Sequence, residues 1–461
     1  MRERVTLRRL LLAPLIAAPL SADAAELLFD GHYRARAQGF NSLSLADPDI
    51  NANAEGGAAY IDHRLRLQPT FLLSDRVSIT TQLDLLPYVL WGDEAVQRAA
   101  ADPGQDLSAI VLSDSVQPPT EDGASTLANI QVTRVYGEIQ TDYGQLRFGR
   151  MPLAWGAGMV FNAGNDPWQE FGDTVDRIQF TGRAGQIYLQ GGLETNAEQF
   201  INEGDDVWGI SGMVLYQTEQ ASIGSYNLFR RYNYDESTFG LFTTDLWAEA
   251  QAGPLHIETE LAAQLGRGDL SDGIDDAGVS AFGAMIDASM QFDRLTLGLT
   301  GGVATGDKDN TDKQYKTFSF DPDFNQTLFM FEEPMPTLLP TVQNEANAGR
   351  DLSAARTGYA LSNALYGRPH VGYAVTDTLD ADVSFFIART AAVPDAETED
   401  TFYGSEVNAR VIWSPYAHFT LDTTVGMFLP GTYYSNFTDD DLGGNFDQPA
   451  VGAQVLGTIQ F

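Results

Sequence analysis

The last twelve residues of the chain, 450-AVGAQVLGTIQF-461, decide the fold class that the sequence predicts. Their residues alternate with the period of two that is typical of a β-strand. One face carries Val451, Ala453, Val455, Gly457, Ile459 and Phe461, and the other carries Gln454, Thr458 and Gln460. A terminal strand with an apolar face needs backbone partners on both edges, and closure into a barrel supplies them. Within hydrocarbon, only helices and closed barrels satisfy every backbone polar group.

The same alternation continues along the chain, in segments joined by connections that are alternately short and long. Leu27–Phe40, Ala59–Leu73 and Val77–Trp91 are the first three predicted strands, and the loop over 92–129 follows them. Short turns on one side and long loops on the other are typical of an outer-membrane barrel. We predict an all-β transmembrane antiparallel β-barrel, with eighteen strands, or sixteen as the alternative. Sandwich strands average about 5–6 residues, whereas several alternating segments here are ten or more residues long. A soluble β-sandwich or solenoid is therefore disfavoured.

Residues 1–24 have the three parts of a secretory signal peptide. Four arginines precede the apolar run Leu10–Leu20, and Ala22-Asp23-Ala24 provides a cleavage site of small residues. A membrane anchor is the alternative, but a spanning helix needs about 20 apolar residues. We therefore predict a cleaved signal at 1–24 and a single barrel domain over 25–461.

Charge and composition exclude several functions. The formal net charge is −36, and loss of 1–24 would make it −38, so the chain repels nucleic acid and anionic lipid. The absence of cysteine excludes disulfides and thiolate chemistry. The predicted location is the outer membrane of a Gram-negative bacterium. The expected partners are membrane lipid, lipopolysaccharide and the barrel-assembly machinery, which would read Phe461 as its C-terminal signal.

The polar strand faces predict a lumen in which the charges are separated by sign. The first six strands carry a basic wall with few acids among them: Arg34, Arg36, Arg64, Arg66, Arg134, Arg147, Arg177 and Arg183. Later strands carry an acidic wall: Asp245, Glu249, Glu258, Glu260, Asp287, Asp380, Asp382, Glu406 and Asp422. Such walls would set selectivity through a transverse field. The alternative is that they solvate the lumen and pair with acidic loops folded inside.

The stretch Gly144–Phe180 contains the most distinctive local pattern. Its motif residues are Gly149, Arg150, Gly156, Gly158, Gly172, Asp173, Asp176 and Arg177. This pattern resembles the alginate-export-type family of bacterial outer-membrane channels. The resemblance implies an eighteen-strand barrel with an arginine-lined lumen and loops that constrict the pore. After Gly149-Arg150 the chain has Met151-Pro152 and lacks the glutamine expected of alginate exporters, so the substrate does not transfer.

One long connection, Thr305–Arg356, is predicted to constrict the lumen or its mouth, because it has an apolar centre at Leu328–Phe331. A loop that binds a partner or faces lipopolysaccharide is the alternative. Its acids Asp307, Asp309 and Asp312 are a weak calcium candidate, because no EF-hand glycine and glutamate follow. We predict no other metal and no cofactor.

The function predicted from these features is passive diffusion of small or acidic solutes through an outer-membrane porin. No catalytic residue is predicted and we expect no enzymatic activity. The alternatives are an export channel for an anionic exopolysaccharide, an outer-membrane hydrolase, and a structural barrel with a plugged lumen. The solute, the direction of transport and the oligomeric state are not specified by the sequence.

Overall fold

The computed structural model describes residues 26–43, 45, 57–91, 130–198, 206–234, 237–270, 274–308, 312–333, 360–392, 401–435 and 446–461. The predicted signal peptide, Asp309, and residues 334–356 of the predicted constricting loop lie outside these residues. The described part forms one closed antiparallel sheet of eighteen barrel strands, as the alternation predicted.

The elements follow one another in chain order. They are β1 Glu26–Asn41, β2 Ala58–Ser74, β3 Val77–Leu90, β4 Ile130–Thr141, β5 Gly144–Pro152, β6 Thr174–Ala184, β7 Ile187–Ala197, β8 Val207–Gln217, β9 Ala221–Tyr234, β10 Ser237–Ala252, β11 Leu255–Leu270, β12 Ile274–Phe292, β13 Leu295–Ala304, β14 Gln314–Tyr315, β15 Ala364–Thr376, β16 Leu379–Thr390, β17 Phe402–Tyr416, β18 Phe419–Pro430, α1 Thr432–Ser435 and β19 Ala450–Gln460.

Each barrel strand pairs antiparallel with the next one along the chain. The exception is β14, which has two residues and lies parallel to β12, so that β13 pairs directly with β15. The last strand closes the barrel against the first, in a register that runs from His32 opposite Gln460 to Asn41 opposite Val451. The C-terminal stretch therefore has partners on both edges, β18 and β1.

Side chains are sorted across the barrel wall as the period of two predicts. Outward residues such as Ile178 and Leu193 are 60% and 61% exposed, whereas the inward Arg34 and Glu406 are 1% and 0% exposed. Apolar outward faces suit lipid, and polar inward faces suit a wet lumen. No helix among the described residues is long and apolar enough to cross a membrane.

Two of the long connections fold into the lumen. Inner loop 1 comprises residues 153–173, between β5 and β6, and inner loop 2 comprises the described residues of 305–333 after β13. Met159 and Phe161 of the first loop and Phe320 and Phe329 of the second are buried in one apolar cluster with inward strand residues. The lumen is therefore partly filled by protein.

Candidate functional site

A cavity of about 460 Å³ remains between the inner loops and the wall formed by β1, β2 and β15–β19. Its cationic lining consists of Arg36, Arg368 and Arg410. Its acidic lining consists of Asp166, Glu170, Asp323, Glu332, Glu333 and Asp382. Tyr60 and Trp168 add aromatic surface to the same cavity.

The cavity continues toward the end of the barrel that carries the tight turns. A second cavity of about 310 Å³ is lined by Arg294 and Asp380, which lie close to those turns. Asp382 and Arg410 line both cavities, so the two spaces meet at this pair. Together they outline a polar path on one side of the lumen.

Three arginines of the predicted basic wall hold inner loop 1. Arg34 Nη1 donates to the backbone oxygen of Pro167 at 2.5 Å, and Arg66 Nη1 donates to that of Gly164 at 2.5 Å. Arg134 donates to the backbone oxygen of Ala163 and, at 2.8 Å, to Asn165 Oδ1. Carbonyl groups inside the lumen need donors, and these guanidinium groups provide them. The side chains therefore position a loop at the inner face of the wall.

Acidic side chains pair with arginines of the predicted basic wall at three inward positions of the first six strands: Asp62, Asp84 and Glu138. Asp62 lies 2.8 Å from Arg36 Nε and 3.4 Å from Arg34 Nη2. Asp84 binds Arg66 through both carboxylate oxygens, at 2.7 and 2.8 Å. These acids stand on strands that the alternation placed correctly, but their side chains neutralise the arginines beside them.

Inner loop 1 supplies a further carboxylate to this wall. Glu170 lies 2.7 Å from Arg34 Nη2 and also pairs with Arg36. Burial alone would raise the pKa of Glu170, but the two neighbouring guanidinium groups hold it below its ordinary value. At Arg34 and Arg36 the charges of the basic wall are therefore paired with an acidic loop folded inside the lumen, which is the alternative given in the sequence analysis.

The remaining arginines of the predicted wall have different surroundings. Arg64 is buried, and its Nη2 lies 3.5 Å from His32 Nε2. Arg177 is buried against Glu194 at 2.5 Å. Arg147 pairs with a strand glutamate at 2.6 Å, and Arg183 is exposed beside a tight turn. Of the eight predicted residues, only Arg36 lines the larger cavity.

The predicted acidic wall is also divided. Asp382, on the path, lies 3.2 Å from His370 Nδ1, and Asp422 pairs with Arg410 and accepts from Trp168 Nε1 at 2.9 Å. Asp287 accepts from a threonine hydroxyl at 2.6 Å. Three other residues of the predicted acidic wall are exposed or partly exposed: Glu249, Glu258 and Asp380. Two more, Asp245 and Glu260, are fully buried against inner loop 1.

Glu406 holds the tip of inner loop 2. Its carboxylate accepts the backbone N–H groups of Leu328, Phe329 and Met330 at 2.6, 3.1 and 3.0 Å. Asn408 Nδ2 donates to it at 2.9 Å. These contacts fix a turn of backbone against β17, so the residue anchors the loop instead of facing the path.

The two inner loops are bound to each other through Asp323. Its carboxylate accepts the backbone N–H groups of Glu170 at 2.7 Å and Phe171 at 2.9 Å. The backbone N–H of Asp321 donates to the oxygen of Met159 at 2.7 Å. Burial raises the pKa of Asp323 above its ordinary value. The loops therefore form one body inside the barrel.

The motif that resembled the alginate-export-type family builds inner loop 1 and its base. Gly156 has φ +60°, and a Cβ there would lie 2.4 Å from Glu260 Oε2, which accepts the N–H of Ala157 at 2.6 Å. Gly158 also has positive φ, and Asp173 joins the two ends of the loop. Gly149 lies in β5, and Gly172 packs against Ala163 and Gly164 within inner loop 1. Arg150 and Asp176 form an ion pair at 2.7 Å on the lipid-facing surface.

The described part of the calcium candidate is occupied by a lysine. Lys316 Nζ lies 2.8 Å from Asp312 Oδ2 and 3.8 Å from Asp307 Oδ1. Within the described residues no group of three or more His, Asp or Glu side chains could hold a metal ion.

Solved structures share this architecture over almost the whole chain. OccK9 (OpdG) of Pseudomonas aeruginosa covers 95% of this chain and 99% of its own, with a TM-score of 0.55 and 10% identity. OccK2 (OpdF) of the same species, crystallised with glucuronate, has a TM-score of 0.52 and 9% identity over 95% and 96%. OccAB1 of Acinetobacter baumannii has a TM-score of 0.52 and 9% identity over 94% and 96%.

The fold is that of an outer-membrane porin. At this identity the likeness concerns the fold alone. No family model and no curated protein matches the sequence. The chain is thus a porin-fold barrel with a lumen narrowed by two inner loops.

Proposed function

We propose that this chain is a passive channel for small solutes, with a preference for those that carry a carboxylate. The single observation that carries the proposal is the polar path described above, which is lined by arginines and lies beside the inner loops. A cavity of about 460 Å³ suits a small solute. The complex of OccK2 with glucuronate supports a solute of this kind on this fold.

Arg368 is the proposed contact for the solute carboxylate. The nearest carboxylate oxygen to its guanidinium belongs to Asp382, at 4.0 Å, and among the described residues its Nε has no hydrogen-bond partner. Arg36 and Arg410 have carboxylates in direct contact instead. Ser384 lines the same cavity and can donate a hydroxyl. Arg368 thus has free donors with which to hold an incoming anion.

The six acidic side chains around the cavity limit how a solute can pass. They outnumber the three arginines, so the cavity does not favour anions through its net charge. A carboxylate is stabilised at one position of the path, and the rest of the solute faces carboxylates. Such a path favours small dipolar acids over inorganic anions.

Planar-bilayer recordings of the purified chain test this proposal. Arg368→Gln should lower the anion-to-cation permeability ratio in a salt gradient and weaken block of the current by glucuronate. Arg76→Gln is the matched control, because Arg76 lies in a tight turn and is 64% exposed. Absence of current from the folded barrel would refute the channel. An unchanged permeability ratio together with unchanged glucuronate block in Arg368→Gln would refute Arg368 as the contact residue.

The finer resemblance to alginate-export-type channels remains a prediction. Export of an anionic exopolysaccharide would need a wide arginine-lined path. In this barrel the guanidinium groups of Arg34, Arg66 and Arg134 are instead hydrogen-bonded to backbone carbonyl groups of inner loop 1. We therefore propose passage of small solutes without catalysis. A signal peptide at 1–24 and recognition of Phe461 by the assembly machinery are part of the same proposal.

A further inference from the structure

A groove of about 630 Å³ lies on the outer surface of the barrel, across β9, β10 and β11. We call it the rim groove and define it by Phe229, Arg231, Gly240, Phe242, Leu265 and Arg267, all of which line it. These six residues belong to the outward faces of their strands, and the inward-facing Phe239 and Val279 line the groove where it meets the rim.

The residues of the rim groove form two rows in register. Gly240 stands opposite Arg231 on one side and opposite Arg267 on the other. The next outward row places Phe242 between Phe229 and Leu265. Neighbouring strands are about 4.8 Å apart, so the two arginine backbones are about 10 Å apart. Because Gly240 has no side chain, a notch remains between the backbones of Arg231 and Arg267, and the ring of Phe229 lies 3.3 Å from the place that a Cβ of residue 240 would occupy.

The rim groove lies at the loop end of the barrel. Arg231 is three residues before the end of β9, and Gly240 is three residues after the start of β10. Trp208, which is 36% exposed, stands opposite Arg231 on β8. Exposed tryptophan marks the boundary between hydrocarbon and headgroups. In a barrel whose tight turns face the periplasm, this level is the headgroup region of the outer leaflet.

Both arginines of the groove can bind an anion. Arg231 Nε donates to Asn233 Oδ1 at 3.0 Å, and among the described residues no carboxylate oxygen lies within ion-pair distance of Arg231. Arg267 lies 2.8 Å from Asp276, but the two side chains are 79% and 67% exposed. An exposed ion pair of this kind contributes little to stability, so an incoming phosphate can replace it.

The lower row provides an apolar surface directly below these charges. Phe229, Phe242 and Leu265 are 37%, 39% and 53% exposed. Cations above an apolar row match an amphiphile with an anionic headgroup and acyl chains. This arrangement is notable in a chain with a net charge of −36, because such a chain otherwise repels anionic lipid.

We propose that the rim groove binds lipid A, the phosphorylated glycolipid of the outer leaflet. Arg231 and Arg267 contact a phosphate group, and an acyl chain enters the notch at Gly240 and lies along Phe229 and Phe242. Phosphate suits two arginines because guanidinium groups bind it bidentately. The site depends on residence in the outer membrane and not on conduction.

The test titrates the purified full chain in detergent with diphosphorylated lipid A and measures the bound fraction by native mass spectrometry. Arg231→Gln with Arg267→Gln should weaken binding by at least about tenfold, because the phosphate loses its charge-assisted hydrogen bonds to two guanidinium groups. Arg150→Gln is the matched control, because Arg150 is also a lipid-facing arginine of the loop end but is bound bidentately to Asp176.

A second variant keeps both charges. Gly240→Leu fills the notch and should weaken lipid A binding while the barrel still shows the gel shift of a folded porin. Dephosphorylated lipid A should bind no better to the parent than to the double glutamine variant. Equal binding of lipid A by the parent and the double variant would overturn the proposal. Equal affinity of the parent for phosphatidylglycerol would overturn the assignment to lipid A.

Discussion

Replacing Glu406 with alanine should release the tip of inner loop 2 from the lumen wall. In the parent, the carboxylate satisfies three backbone N–H groups, those of residues 328–330. Without it, each buried N–H loses its partner at a cost of about 1–3 kcal/mol, or about 3–9 kcal/mol for the three.

The apolar side chains of the tip oppose this release. Leu328, Phe329 and Met330 are 2%, 0% and 2% exposed, and burying each is worth about 1.5–3 kcal/mol, or about 4.5–9 kcal/mol together. The two ranges are similar, so loss of the carboxylate should bring the seated and released states close to equal population. The parent should populate the seated state almost completely.

Two measurements report this change. Single-channel recordings of Glu406→Ala should show a new, larger conductance level that the parent lacks. Because the chain has no cysteine, Met330→Cys introduces a single thiol, which should react with a soluble maleimide much faster in the Glu406→Ala background. Glu249→Ala is the control, because Glu249 is 42% exposed and contacts His256 at 3.0 Å. A thiol that stays equally protected in both backgrounds, with an unchanged conductance, would refute the anchoring role.

Three further predictions concern other parts of the barrel. Arg66→Ala leaves the buried Asp84 unpaired, so it should lower stability to denaturant by about 3–5 kcal/mol, whereas Arg76→Ala, in an exposed pair, should cost about 0–1 kcal/mol. Burial raises the pKa of Glu333 to about 7. Anion preference, measured by reversal potential, should therefore fall as pH rises through about 7, and Glu333→Gln should remove that step. Because this pKa lies above its ordinary 4.5, seating of inner loop 2 should also weaken between pH 4.5 and about 7. Deletion of Phe461 removes its backbone exchange with β1, at 3.0 and 3.1 Å, and should reduce the folded barrel recovered from cells while the folded fraction conducts as before.

The strand framework could be predicted because each strand carries its own evidence. Ile178 and Leu193 are apolar at outward positions, and Arg34 is charged at an inward one, so the period of two gives the face of each side chain. The pairing of β19 with β1 followed from the need to close the barrel. The period of two is a local pattern within each strand, and the closure of the barrel follows from the order of the strands. Both can be recognised in the amino-acid sequence.

The roles of individual lumen charges could not be predicted in the same way. Arg34 and Arg36 share a face of β1, yet Arg34 binds the carbonyl of Pro167 and Arg36 lines the cavity. The difference depends on where inner loop 1 lies, and that loop has no periodicity that would show it. Glycines at 156 and 158 were the available signal, because their positive φ lets the loop turn against the buried Glu260.

The two inner loops should behave as one coupled gate, because Asp323 joins them. Asp323→Ala removes the acceptor for the N–H groups of Glu170 and Phe171, and Glu406→Ala releases the other loop from the wall. If the loops move together, the effects of the two substitutions on labelling of Met330→Cys should not add. Residues that share a contact network typically couple by about 0.5–3 kcal/mol. Glu249→Ala in place of Asp323→Ala should give additive effects in the same cycle. Additivity within about 0.5 kcal/mol for the Asp323 and Glu406 pair would show that each loop moves alone and that the path is gated by inner loop 2 without the first.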